Sequence, residues 1–77
     1  MFLNKEQKEE IKKIRLKNEL EKAINYFVEN TSINEVLEEC KWYKVYSVED
    51  LKNAMYESYL DTYTDEELKE RIKMLYE

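Results

Sequence analysis

Three times in this chain a hydroxyl residue stands three positions ahead of a carboxylate, and an apolar helical pattern follows. The stretches are Ser32-Ile33-Asn34-Glu35, Ser47-Val48-Glu49-Asp50 and Thr64-Asp65-Glu66-Glu67. The spacing is that of a helix N-terminal capping box, in an Asp version in the middle case. The hydroxyl accepts from an otherwise unpartnered N–H of the first turn, and the carboxylate reaches back to the cap's own N–H. A fourth, weaker version, Asn4-Lys5-Glu6-Gln7, stands near the start. The 77 residues contain no Gly and no Pro, so little else divides the chain. The expectation is an all-α fold. It comprises a long N-terminal helix over about residues 5–29 and three shorter helices over about 33–42, 48–60 and 65–77.

Each segment carries an apolar face at helical spacing. The first has Leu16, Leu20, Ala23, Ile24, Phe27 and Val28, and is expected to end near Asn30, which tolerates a left-handed conformation. The second has Ile33, Val36, Leu37 and Cys40, and the third Val48, Leu51, Ala54, Met55 and Tyr59. The fourth has Leu68, Ile72, Leu75 and Tyr76. At about 1.5 Å per residue the first helix spans roughly 37 Å and the others about 15–20 Å. Three short helices do not cover so long a rod. Residues 1–15 are therefore expected to protrude from the single domain, as an arm or dimerisation segment. Leu3, Ile11 and Ile14 point away from the stripe that begins at Leu16, and they read as a dimer or docking surface.

A 43% hydrophobic and 40% charged composition suits a small core under a charged surface. The first 30 residues hold seven basic and six acidic side chains, net +1. Residues 31–77 hold six basic and twelve acidic, net −6. The acidic half should be repelled by phosphate and attracted to a basic groove. No apolar run resembles a signal peptide or a membrane span, so a cytoplasmic protein is expected. Abundant Lys, Glu, Asn, Ile and Tyr with scarce Ala suit an AT-rich genome, such as that of a low-GC bacterium or its phage.

Most catalytic chemistry lacks its parts here. There is no His, so neither a Ser-His nor a Cys-His nucleophile can be assembled. One Cys without His is too few soft ligands for structural zinc, and the absence of Gly removes phosphate-cradling loops. The segment 61–65 has two acids four apart but lacks the later Gly and Glu of a calcium loop. No enzyme, metal or cofactor is expected. Cys40, on an apolar face beside Glu38 and Glu39, reads as a small hydrophobe, since a reactive thiol needs positive neighbours.

Surfaces remain. On the third helix Tyr56, Leu60 and Tyr63 form a second apolar row, flanked by Glu57 and Asp61, and the fourth helix adds Glu66 and Glu70 on its outer face. Tyrosines supply contact area at low entropy cost, while carboxylates steer and fix register, so these seven residues are the expected partner-binding set. The aromatic run 42–46 is expected to cap one end of the core. A helix-turn-helix reading of the second and third helices suffers from a recognition helix with one cation, Lys52, among four acids, so direct nucleic-acid binding is not expected. The leading expectation is a non-enzymatic protein-binding module, a small acidic inhibitor or regulator of the phage anti-defence kind, that occupies a basic nucleic-acid-binding surface of a target protein. The alternative is a self-assembling structural or transcription-associated module that dimerises through the first helix, with DNA binding as an added option.

Overall fold

The computed structural model describes residues 4–77 as four helices. They are α1 (Lys5–Asn30), α2 (Ile33–Tyr43), α3 (Val48–Thr62) and α4 (Asp65–Leu75), and no strand lies among the described residues. The architecture is a small all-α four-helix domain with a long first helix.

The four caps stand where the sequence places them, but their strength differs from the expectation. Each of Asn4, Ser32, Ser47 and Thr64 accepts a backbone N–H from three residues on, at 2.8, 3.3, 3.1 and 3.3 Å. Only two boxes close in both directions. Gln7 Oε1 accepts from the Asn4 N–H at 3.1 Å, and Glu67 Oε1 accepts from the Thr64 N–H at 3.2 Å. The nominally weakest signature is thus complete, because a neutral glutamine reaches back as readily as a carboxylate. At Ser32 and Ser47 the cap is the hydroxyl alone.

Helix ends follow a different rule from the one expected. Asn30 remains helical and uses its side chain, Nδ2 donating to the Tyr26 carbonyl at 2.9 Å. The left-handed position falls instead on Lys44, at φ 59° and ψ 45°. Around it the Val45 N–H reaches the Cys40 carbonyl at 2.9 Å and the Lys44 N–H reaches Lys41 at 3.2 Å, a Schellman closure. Cys40 and Val45, both packed against the core, supply its usual apolar contact. A non-glycine residue held there costs about 1–2 kcal/mol.

The core consists of Leu16, Leu20, Ala23, Ile24 and Val28 of α1, Val36 of α2, Leu51 and Met55 of α3, and Leu68, Ile72 and Leu75 of α4. Helices α3 and α4 pack along α1, and α2 packs chiefly on α3. Parts of α1 and α3, among them Glu21, Asn25, Val48 and Tyr56, line one open groove between the two helices. Tyr76, at the end of α4, meets Tyr26 at a tilt with ring centroids 5.0 Å apart, and Met74 and Leu75 lie by Asn30 and Thr31. So α4, packed along α1, runs in the sense of α1, and α3 before it runs the opposite way. No charged or polar residue is buried, and no buried side-chain polar atom among the described residues lacks a partner. The core is small and dry.

Two expected faces need correction. In α2 only Val36 is buried, with Cys40 half-buried; Ile33 and Leu37 are exposed, because α2 has one close neighbour and a single partner cannot cover a four-residue face. In α3 Val48 is exposed and Ala54 and Tyr59 are half-buried. The 42–46 run does not cap the core as a unit. Trp42 is 74% exposed and Tyr46 fully exposed, while Tyr43 and Val45 between them turn inward.

Candidate functional site

Past Leu16 toward the N-terminus, nothing among the described residues covers α1. Every residue from 4 to 15 is exposed, and the molecule measures 50 × 22 × 19 Å, the long dimension following that overhang. Ile11 is 37% and Ile14 58% exposed, one turn apart on the same side. Leu3, read with them from the sequence, lies outside the described residues. The Glu9–Lys13 spacing available for an intrahelical pair is not used. The ion pairs among the described residues are Glu38–Lys41, Glu66–Lys69 and Glu70–Lys73, at 3.7, 3.5 and 3.9 Å, all exposed. Pairs of that kind contribute about 0–1 kcal/mol each.

Acidic side chains stand exposed on both α3 and α4. Glu57, Asp61, Glu66 and Glu70 are all exposed. Asp61, Asp65, Glu66 and Glu67 crowd the α3–α4 corner within seven residues that include no cation. The three apolar anchors do not form a single row. Tyr56 lines an open groove between α1 and α3 with Glu21, Asn25, Val48, Lys52 and Asn53. Leu60 is half-buried against the core. Because α3 ends at Thr62 and Tyr63 is extended (φ −110°, ψ 143°), the helical spacing that would align Tyr63 with the others stops short of it.

Tyr63 turns to a cluster of its own. It meets Tyr59 edge to face at 5.5 Å between centroids, and the Arg71 guanidinium lies 4.8 Å over its ring. Tyr43 and Tyr59 join this cluster, and both phenols are held above their ordinary range. For Tyr43 burial is the main cause, with Glu39 and Tyr63 adding to it and a hydrogen bond with Ser58 pulling the other way. For Tyr59 burial again leads, followed by Tyr43, Tyr63 and Glu39, while Arg71 opposes. The arrangement is an aromatic extension of the core, its rings half-buried against it.

One surface escaped the sequence reading. Ile33 (75% exposed) and Leu37 leave one flank of α2 apolar, with a shallow groove there lined by Leu37, Cys40, Lys41, Lys44, Val45 and Tyr46, while Trp42 is exposed on the other flank. The signal was present but ambiguous, since apolar residues at helical spacing look alike whether or not a neighbour covers them. Among the described residues no three acidic or cysteine side chains gather as a metal-holding group, and no helix is long and apolar enough to cross a membrane. Comparison with protein-family models, curated proteins and solved structures finds no match.

Proposed function

We propose that the chain is a non-enzymatic protein-binding module, a small acidic inhibitor or regulator that occupies a basic, nucleic-acid-binding surface of a target protein. The observation that carries this reading is the exposed acidic group Glu57, Asp61, Glu66 and Glu70, beside half-buried Tyr56, Leu60 and Tyr63. Carboxylates with free oxygens at a helix corner can mimic the spacing of negative charge that a phosphate-binding groove recognises, and they raise association rates through steering. Glu57 and Asp61 have no ion-pair partner among the described residues, so they carry more of the attraction than Glu66 and Glu70. A phage or mobile-element origin, with a host defence protein as target, fits this chemistry and the AT-rich residue usage. A cytoplasmic setting goes with it.

The test is capture from a nuclease-treated bacterial lysate followed by competition with DNA. The reading requires a retained nucleic-acid-binding protein that DNA displaces, and loss of that capture in an Asp61→Lys, Glu70→Lys variant with unchanged helicity. Retention that ignores both DNA and charge reversal refutes it.

A second reading, self-assembly through α1, is favoured by a specific observation: Ile11 and Ile14 stand exposed on an arm that nothing among the described residues covers. The two readings are compatible, since an inhibitor can be a dimer.

A further inference from the structure

The arm has a pattern that its exposure brings out. Between residues 4 and 18 the uncharged side chains are Asn4, Gln7, Ile11, Ile14, Leu16 and Asn18, and every other position is charged. Leu16 belongs to the core. The remaining five fall at spacings of three, four, three and four, the a and d positions of a coiled-coil seam. At about 100° per residue this seam lies on roughly the opposite side of α1 from the buried stripe of Leu16, Leu20 and Ala23, clear of α3 and α4.

Resting on the self-assembly reading, we propose that the seam pairs with that of a second copy, antiparallel, about a two-fold axis between Lys12 and Lys13. From Gln7 to Asn18 the spacing of four, three and four reads the same in both directions about that point. Ile11 then packs on Ile14 of the other copy, twice, and Gln7 faces Asn18 at either side. Gln7 Oε1 is committed to its own helix cap, which leaves its Nε2 to donate to the Asn18 carbonyl across the seam.

Charge selects this orientation over the parallel one. Flanking pairs do not discriminate. The antiparallel register sets Glu10 against Lys17 and Lys8 against Arg15, while the parallel one sets Glu10 against Arg15 and Lys17 against Lys22. The larger charges do. Residues 5–17 hold six basic and three acidic side chains, net +3, whereas residues 31–77 carry net −6. A parallel dimer sets two −6 bodies side by side. The antiparallel one lays each basic arm toward the foot of its partner's body. The end of α4 lies against the C-terminal end of α1, so the start of α4, and with it the acidic α3–α4 corner, lies toward Leu16 at that foot. The two acidic corners then lie on either side of the two-fold axis, each beside its partner's basic arm.

The experiment uses a Cys40→Ala background, so that introduced thiols are the only ones. Gln7→Cys and Asn18→Cys are made separately and oxidised alone and mixed, at high micromolar protein, while sedimentation velocity follows the unmodified chain. The proposal expects a dimer and a disulfide only in the mixture. A dimer that crosslinks through Gln7→Cys alone is parallel and overturns the orientation while leaving self-assembly standing. A monomer without crosslinks overturns both. Ile11→Asp with Ile14→Asp should weaken association by about a hundredfold or more, because each introduced charge would be buried unpaired in the seam. Capture by the acidic face should survive that change at low protein concentration, which separates this failure from that of the inhibitor reading.

Discussion

At the scale of single residues, exposure and residue type part company, and the consequences are measurable. Leu20 and Leu51 are fully buried between helices. Replacing either with Ala should cost about 2–5 kcal/mol, from lost transfer energy and the cavity left behind. A domain of this size has only about 4–12 kcal/mol in total, so urea midpoints should fall sharply. Trp42 makes the opposite case. It is the one tryptophan, and its main recorded contact is an edge-on one with neighbouring Tyr43 at 4.8 Å. Trp42→Ala should change stability by no more than about 0.5 kcal/mol. Native fluorescence should already resemble that of indole in water. The tyrosine cluster sets an alkaline limit. Tyr43 and Tyr59 hold their protons more tightly folded than unfolded, so their contribution is complete below the ordinary phenol range and fades as pH rises through the raised folded values. Absorbance titration should find two of the seven tyrosines ionising late, with stability declining above pH ~10.

At the scale of helices, the ends are where local chemistry decides most. Thr64 satisfies one N–H of the first turn and has its own N–H satisfied in return. Thr64→Ala should therefore cost about 1 kcal/mol, and Ser32→Ala somewhat less because its box closes in one direction only. Thermal melts of the two variants test the order. Lys44 is the converse, a residue in a conformation it does not favour. Lys44→Gly should stabilise by up to about 1 kcal/mol, the relief of left-handed strain less the added freedom of the unfolded chain. If the variant melts lower, the lysine side chain makes a contribution that its backbone geometry does not show. Helix α2 depends on this closure more than the others do, since it buries only Val36 and packs mainly on α3.

At the scale of the whole molecule, electrostatics governs association more than folding. The ion pairs are exposed and intrahelical, worth little each, and further screened by salt. Raising salt from low to molar levels should leave the urea midpoint nearly unchanged. Binding of a basic partner to the acidic face should weaken markedly over the same range, chiefly through slower association. A salt-independent association rate would argue for the apolar side of α2 as the contact instead. Both α2 and the α1 arm leave apolar side chains uncovered, on a molecule whose core holds eleven of the described residues.

How far the chain could be read without its fold differs by level. Helix number, boundaries to within about two residues, and the inward stripes of α1 and α4, except for Tyr76, which is exposed past the end of α4, all follow from short-range chemistry: a capping side chain three residues from its partner, and apolar spacing along one rod. The left-handed turn at Lys44 was invisible, because a lysine carries no local preference for it and the closure of α2 on α3 imposes it. The same limit applies to the surfaces. Glu57, Asp61, Glu66 and Glu70 could be placed outside from pattern alone, since charge is costly to bury anywhere. Ile33, Leu37, Trp42 and Tyr56 could not be placed. An apolar side chain is buried only where a neighbouring helix arrives to cover it, and that depends on how four rods of unequal length divide one another's faces.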